Sequence, residues 1–355
     1  MLKHLHVSGY RSIRELRADV GPITVVVGAN GTGKTNVYRA LRLLTFAAHG
    51  RLSEALAEEG GIPSVLWAGK RAKGAPQRCN IEVELDELSF QLSFGPPPPP
   101  QGAFLLDPDV KEETLWVIER RRRHVIAQRE NATAFMRDAE GVRVSFPAAL
   151  WGGESLLSQI TEPHRFPLLS AIRSEFQRWR FYHHFRTDVE APARRPQVGV
   201  RTPALAHDGR DLAAALTTIS EIGDVRALHG AIERAFPGTT LHLVAENGRF
   251  AFQLHTPGVL RPLDALELSD GTLRYICLVA ALLSPRPPPF LALNEPETSL
   301  HPELLQPLAE LVVSASRRSQ IFLTTHSELL ADRLGAVGVE RLQLVKSEGE
   351  TEIAT

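Results

Sequence analysis

The run Gly28-Ala29-Asn30-Gly31-Thr32-Gly33-Lys34-Thr35 spaces two glycines, a lysine and a hydroxyl as Gly-x-x-x-x-Gly-Lys-Thr. That spacing suits phosphate chemistry. Glycine lets consecutive backbone N–H groups turn inward around phosphate oxygens, and a helix starting there adds the positive end of its dipole. Lys34 is then placed to bridge the β- and γ-phosphates of a nucleotide, and the Thr35 hydroxyl to ligate Mg²⁺. A polar pair also closes the apolar run Phe290-Leu291-Ala292-Leu293-Asn294-Glu295-Pro296. A carboxylate there can polarise an attacking water, which makes Glu295 the candidate general base; the plainer reading is that it opens the next helix. His326 follows the stretch Leu323-Thr324-Thr325 and taken alone is an ordinary polar residue at a strand end. Leu268-Ser269-Asp270-Gly271-Thr272 joins a hydroxyl and a glycine backbone to a helix start. That combination favours an anion and, by itself, is only an N-cap.

These groups need rigid supports, and the pattern supplies them. Ile23–Val27 is a β-branched run of the kind buried on both faces, and Val37, Ala40, Leu41 and Leu44 follow the loop at helical spacing. Strand, glycine-rich loop and helix therefore succeed one another. After Ser269, the residues Leu273, Ile276, Cys277, Ala280 and Ala281 predict a helix that Pro285 stops. Residues 290–293 and 321–324 read as strands with a helix at 303–315 between them. Upstream, Leu5 and Val7, then Ile13 and Leu16, predict two short strands. Residues 79–86 and 88–94 read as a hairpin, 115–118 and 142–146 as further strands, and the five prolines 96–100 as a loop. Residues 154–186 read as helical and then aromatic-rich, and 191–209 as irregular. Residues 211–219 and 224–236 read as helices, and 241–245 with 250–254 as a hairpin.

With 355 residues, 43% of them hydrophobic, the chain can bury a core, which excludes wholesale disorder. Forty basic against 41 acidic residues exclude a globally basic nucleic-acid binder but not a local patch. Two cysteines, Cys79 and Cys277, cannot form a disulfide framework or a zinc ribbon. The longest apolar run, 276–283, falls short of the roughly 20 residues a membrane span needs. No apolar signal core opens the chain, so the expected location is the cytoplasm, without membrane attachment.

Read in order, Tyr10-Arg11-Ser12-Ile13, the 28–35 loop with Asn36, 268–272, Asn294-Glu295-Pro296-Glu297, Ser299-Leu300-His301-Pro302 and Thr325-His326 form a set. The set resembles the AAA-type ATPases of the RecF/SMC/OLD group within the ABC-ATPase superfamily, most closely the stand-alone bacterial RecF-like ATPases. The resemblance rests on the first 45 residues and roughly the last 90. It implies an α/β P-loop NTPase fold of ABC-ATPase type: a mixed and parallel sheet core flanked by helices, an antiparallel β lobe and an inserted helical lobe. It implies ATP and Mg²⁺ as cofactors. Asn30, Gly31, Thr32, Gly33, Lys34, Thr35, Asn36 and Arg11 would contact nucleotide from one subunit, and Ser269 and Gly271 from the signature of another. Glu295 and His326, the latter as switch histidine to the γ-phosphate, would be catalytic. Thr35, Asn294 and a glutamine opening the helical lobe would face the metal; Gln159 is the candidate glutamine, with Gln177 and Gln197 competing.

Ser269 stands 26 residues before Glu295, as in that class, whereas Lys34 and Ser269 are 235 apart, far more than in transporter subunits. No heptad arm or Cys-x-x-Cys hook separates them, and only about 30 residues follow His326, which leaves no room for an OLD-type nuclease domain. One departure matters: Asn294 occupies the place of an aspartate in the wider class, so hydrolysis is expected to be slow without a partner. The expected organisation is an N-terminal ATPase lobe at 1–150, a helical lobe with a hairpin at 151–265, and a C-terminal ATPase half at 266–355. The leading expectation is an ATP-hydrolysing, ATP-dimerised switch associated with DNA in repair or genome defence. The alternative is a weakly or non-hydrolysing scaffold that regulates a partner protein such as a nuclease. Residues 165–201 carry eight arginines against three acids, and Arg178-Trp179-Arg180-Phe181-Tyr182-His183-His184-Phe185-Arg186 interleaves bases with aromatics. This could stack on nucleic acid or bury its aromatics with the arginines solvated. The run 120–123 with Arg129 leaves the same two readings open.

Overall fold

The computed structural model describes every residue except 71, 72, 75, 100–102, 121, 147, 148, 336–338 and 355. Pro100 of the proline run and Arg121 of the basic run therefore lie outside the described residues. The chain divides into two compact units: residues 1–21, 26–179 and 342–355 form the first, and 22–25 with 180–341 the second. This division differs from the three consecutive segments expected, since the first unit gathers both chain ends and the second takes in Pro22 and the first three residues of the strand Ile23–Val27.

The first unit is built on an eight-stranded antiparallel sheet. Its order is Ile13–Asp19, Leu2–Tyr10, Cys79–Leu85, Leu88–Gly95, Asp109–Glu119, Arg122–Glu130, Thr133–Arg137, Arg143–Ser145. Tyr10 pairs with Ile13 across a tight turn at Arg11 and Ser12, which places that turn at the sheet's end. The expected hairpin is present, with Ile81 opposite Leu92. Two strands of this sheet went unread, Arg122–Glu130 and Thr133–Arg137; in the first, charged residues break the alternation. Arg129 is fully buried and lies 3.2 Å from the equally buried Glu113; it also donates to the carbonyls of Asn131, Trp151 and Glu154. Burial raises the Glu113 carboxyl, against the pull of Arg129. Arg123 pairs with Glu82 and Glu84. Arg123 and Arg129 of the basic run thus serve the lobe's own ion pairs.

Helix Lys34–Ala48 buries Val37, Ala40, Leu41 and Leu44, as its spacing predicts, and packs on helix Pro167–Arg178, where Gln177 Nε2 donates to the Ala48 carbonyl at 2.9 Å. Phe176 meets Phe90 and Trp179 edge-on at 5.7 and 4.9 Å. The hairpin Glu340–Ser347 and Glu350–Ile353 carries the C-terminal residues of this unit.

In the second unit the strands Arg180–Tyr182, Phe290–Asn294 and Gln320–Thr325 pair in parallel, with Phe181 beside Ala292 and Ala292 beside Phe322. Every residue of the last two is buried, the pattern of strands covered on both faces. Ile321 N–H donates to the Pro22 carbonyl at 2.9 Å, which sets the start of Ile23–Val27 beside Gln320–Thr325. Helices Asp270–Leu282, Leu305–Ala315, Leu212–Ile222 and Val225–Ala235 belong to this unit, with an antiparallel sheet around Thr240–Glu246 and Arg249–His255. Trp179, Phe181, Tyr182 and Phe185 are all buried, which overturns the stacking reading of that segment. Among the described residues both cysteines are free and buried, and no helix is long and apolar enough to cross a membrane.

Candidate functional site

Two clusters carry the candidate chemistry, one in each unit. In the first, the glycine-rich loop joins Ile23–Val27 to helix Lys34–Ala48, in the strand–loop–helix order predicted. Gly33 adopts φ 101°, and a Cβ there would lie 2.1 Å from Thr351 Oγ1 and 2.9 Å from Ser12 Oγ, so only glycine fits. Asn30 and Gly31 are exposed at the loop's apex. Lys34 is buried, and its ammonium donates to the Gly28 and Ala29 carbonyls at 2.8 and 3.0 Å. Thr32 Oγ1 donates to Ala29 O at 2.9 Å and tightens the same turn.

The loop is braced from outside by residues the motif does not contain. Thr351, fully buried, donates from Oγ1 to the Thr32 carbonyl at 2.8 Å and lies 2.7 Å from Ser12 Oγ. Asn36 Nδ2 donates to Ser12 Oγ at 2.8 Å. Arg11, expected at the nucleotide, holds φ 49° and donates to Glu59 Oε2 from Nε and Nη2 at 2.9 and 2.7 Å. The Tyr10 hydroxyl donates to the same oxygen at 2.6 Å. The turn residue that reaches the loop is therefore Ser12. Gln159 accepts from Trp151 N–H at 2.8 Å and donates to the Trp151 and Glu154 carbonyls at 3.0 Å, closing the turn before its own helix. Both ends of its amide are engaged there.

In the second unit, the adjacent ends of Phe290–Asn294 and Gln320–Thr325 bring Asn294, Glu295 and His326 together. Asn294 is buried, and its Oδ1 accepts from Thr324 Oγ1 at 2.9 Å. Glu295 takes φ 46°, a conformation disfavoured for a residue with a Cβ, and is held in it by its N–H donating to the Thr324 carbonyl at 2.9 Å. Its Oε2 lies 3.9 Å from His326 Nδ1. Glu297, which no expectation singled out, lies closer, with Oε1 3.2 Å from the same nitrogen. Arg274 is buried and donates from Nη2 to the Glu295 carbonyl at 3.0 Å; burial pulls its guanidinium below the ordinary value.

Ser269 caps helix Asp270–Leu282, its Oγ accepting from Thr272 N–H at 3.1 Å. A Cβ on Gly271 would lie 2.5 Å from the Ser299 carbonyl, so the helix start and the 298–302 loop touch backbone to backbone. A cleft of about 360 Å³ opens there between Ser269, Gly271, Thr272, Ser299 and His301. The buried Arg194 fixes the approach to the helix, donating to the Ala265 and Leu268 carbonyls at 3.1 and 2.7 Å and to Asp270 Oδ1 at 2.6 Å. Mg²⁺ takes hard oxygen donors, and the Thr35 hydroxyl and the Asn294 carbonyl are of that kind. Among the described residues no three His, Cys, Asp or Glu side chains gather to hold a metal unaided. Neither Thr35 nor Asn294 carries a charge, so an ion held by either would be carried largely by phosphate and water.

The family described as "AAA domain, putative AbiEii toxin, Type IV TA system" matches residues 23–332. The chain is 43% identical over 44 residues to the OLD nuclease of Thermus scotoductus, covering 12% of this chain and 8% of that protein. It is 34% identical over 87 residues to the DNA replication and repair protein RecF of Paenarthrobacter aurescens, covering 24% and 22%. The chain thus spans under a quarter of either relative. Across 99% of its length it superimposes on an SMC head solved with the C-winged helix domain of ScpA (TM-score 0.61, 15% identity, 97% of that chain). The Smc head with an extended coiled coil, bound to the C-terminal domain of ScpA derived from Pyrococcus furiosus, gives 0.57 at 14% identity over 99% of this chain and 95% of that one. These likenesses establish the expected fold, that of an ABC-type ATPase head.

Proposed function

Since the chain belongs to that AAA-domain family, and with it to the ABC/AAA ATPases of the RecF/SMC/OLD group, we propose that it binds ATP and hydrolyses it as an ATP-dimerised switch. The observation that carries the reading is Glu295 held at a strand end beside His326, in a chain that also builds a complete phosphate loop. In this reading the 28–35 loop, Lys34 and Asn36 hold the phosphates, Glu295 orients and deprotonates water, and His326 donates to the terminal phosphate. Mg²⁺ would be held by Thr35 and Asn294 and would supply charge neutralisation on the phosphate oxygens. Arg11 and Gln159 join the site only if they leave Glu59 and the Trp151 turn.

Ser269 and Gly271 would take the phosphates of a second copy, which the capped helix start and the open cleft beside it favour. Nucleotide state would then set dimer state. The names of the RecF and OLD relatives support association with DNA or with a partner nuclease. The scaffold reading has its own support in Asn294, which brings no charge to the metal.

Phosphate release with and without duplex or single-stranded DNA, measured with sedimentation under ATP, tests the proposal. Lys34→Ala should lose nucleotide affinity by roughly a hundredfold, about 2.7 kcal/mol. Glu295→Gln should accumulate an ATP-bound dimer. Normal nucleotide binding by Lys34→Ala overturns the phosphate-loop role, and a wild type that dimerises without any hydrolysis selects the scaffold.

A further inference from the structure

We propose that Glu297 is the positioning residue for His326: its carboxylate fixes the hydrogen on Nδ1 and so turns Nε2 outward for the chemistry, an inference that rests on the ATPase reading. Glu297 Oε1 accepts from Thr325 Oγ1 at 2.5 Å and from His326 N–H at 3.1 Å, and lies 3.2 Å from His326 Nδ1. Its side chain is only 5% exposed, against 44% for His326. Oε2 is buried and has no hydrogen-bond partner among the described residues.

A buried carboxylate is costly unless its charge is used. Thr325 and the His326 backbone are neutral donors that a glutamine would satisfy as well. The imidazole gains from the charge at short range, and the buried Arg274 guanidinium also feels it without a hydrogen bond between them. Carboxylates that orient histidines in this way select the tautomer and stabilise the protonated ring. Glu295, at 3.9 Å from Nδ1, is beyond hydrogen-bond distance and stays available to water. The charged groups set around the ring are thus Glu295 and Glu297 from the neighbouring strand end, with Arg274 behind the Glu295 carbonyl. The two glutamates divide the work, one toward water and one toward the histidine.

Two measurements on the full chain test this. Nitrogen NMR of the histidine rings, with His326 assigned by its loss in His326→Asn, should find the hydrogen on Nδ1 in the nucleotide-free wild type. A hydrogen on Nε2 alone overturns the proposal. Glu297→Gln keeps shape and neutral hydrogen bonds, so it should melt with the wild type yet lose roughly 10–100-fold in kcat. Its KM for ATP should stay within about threefold, the signature of an interaction made only in the transition state. Unchanged kcat in Glu297→Gln overturns the proposal. If the wild type turns over no ATP at all, the ATPase reading fails, and the ring measurement decides the pairing of Glu297 with His326 alone.

Discussion

Arg274 reaches from the helix capped by Ser269 to the main-chain carbonyl of Glu295, with Nη2 donating at 3.0 Å. The two candidate elements of the second unit, the signature helix and the turn bearing the general base, are therefore joined by one buried side chain. The strained φ of Glu295 needs such support, because its N–H is already committed to Thr324. A displacement of the helix start would be felt at the carboxylate through this bond.

Arg274→Met keeps the apolar stem and removes every donor. It should destabilise the protein by about 1–3 kcal/mol through the carbonyl left unpaired. Turnover should fall further than stability alone explains, by roughly tenfold, since Glu295 loses its anchor. Urea unfolding and steady-state hydrolysis on one preparation check both. Wild-type kinetics in a folded Arg274→Met protein would show that the turn holds itself.

Thr351 lies 316 positions after Thr35 in the sequence yet touches the loop that Thr35 ends. Thr351→Val is nearly isosteric and removes a hydroxyl bonded to the Thr32 carbonyl and Ser12. It should cost about 1–2 kcal/mol of stability. Nucleotide affinity should fall with it, because the loop is no longer preorganised. Titration with a fluorescent ATP analogue, set beside thermal melting, separates the two effects.

Glu267 forms a capping box with Asp264 just before the signature and accepts from Arg261 at 2.6 and 2.7 Å. The Arg261 guanidinium, then the Asp264 backbone N–H, hold its carboxyl down to about 2. A lowered carboxyl stabilises the fold above its ordinary value of 4.5 and loses that contribution as the pH falls toward 2. Carbon NMR should show Glu267 still ionised where the ordinary glutamates have titrated, and Arg261→Ala should move it up among them. An unmoved midpoint in Arg261→Ala would assign the shift to the backbone alone.

The parts legible in the sequence are contiguous ones. The phosphate loop fits its pattern within eight residues between a strand and a helix, and Glu295 and His326 each follow closely on an apolar run, 290–293 and 321–323. The parts that stayed hidden are made by distant or buried polar residues. Arg194, Arg274 and Thr351 lie in no motif, and Glu297, though inside the quoted 294–297 run, had no role read for it; all four act through groups that the fold brings to them. The strand Arg122–Glu130 escaped for a related reason: Arg129 points into the core, where alternation calls for an apolar side chain. The aromatics from Trp179 to Phe185 left stacking and burial both open in the sequence, and the fold places them in the interior.

Asn294 stands where the wider class places an aspartate, and its surroundings make the reverse substitution informative. The side chain is 5% exposed, and Oδ1 accepts from Thr324 Oγ1 at 2.9 Å. Asn294→Asp would set a carboxylate in that space with a hydroxyl as its neighbour. Without a cation, a buried charge so poorly compensated should cost about 2 kcal/mol. Mg²⁺ favours charged oxygen ligands, so Mg²⁺ with ATP should remove that penalty and tighten metal dependence. The expected result is a variant that melts below the wild type in chelator, matches or exceeds it with Mg²⁺ and ATP, and hydrolyses faster. The wild type, lacking the charge, should show the smaller response to Mg²⁺. Equal melting in chelator together with an unchanged Mg²⁺ titration would remove Asn294 from the metal site.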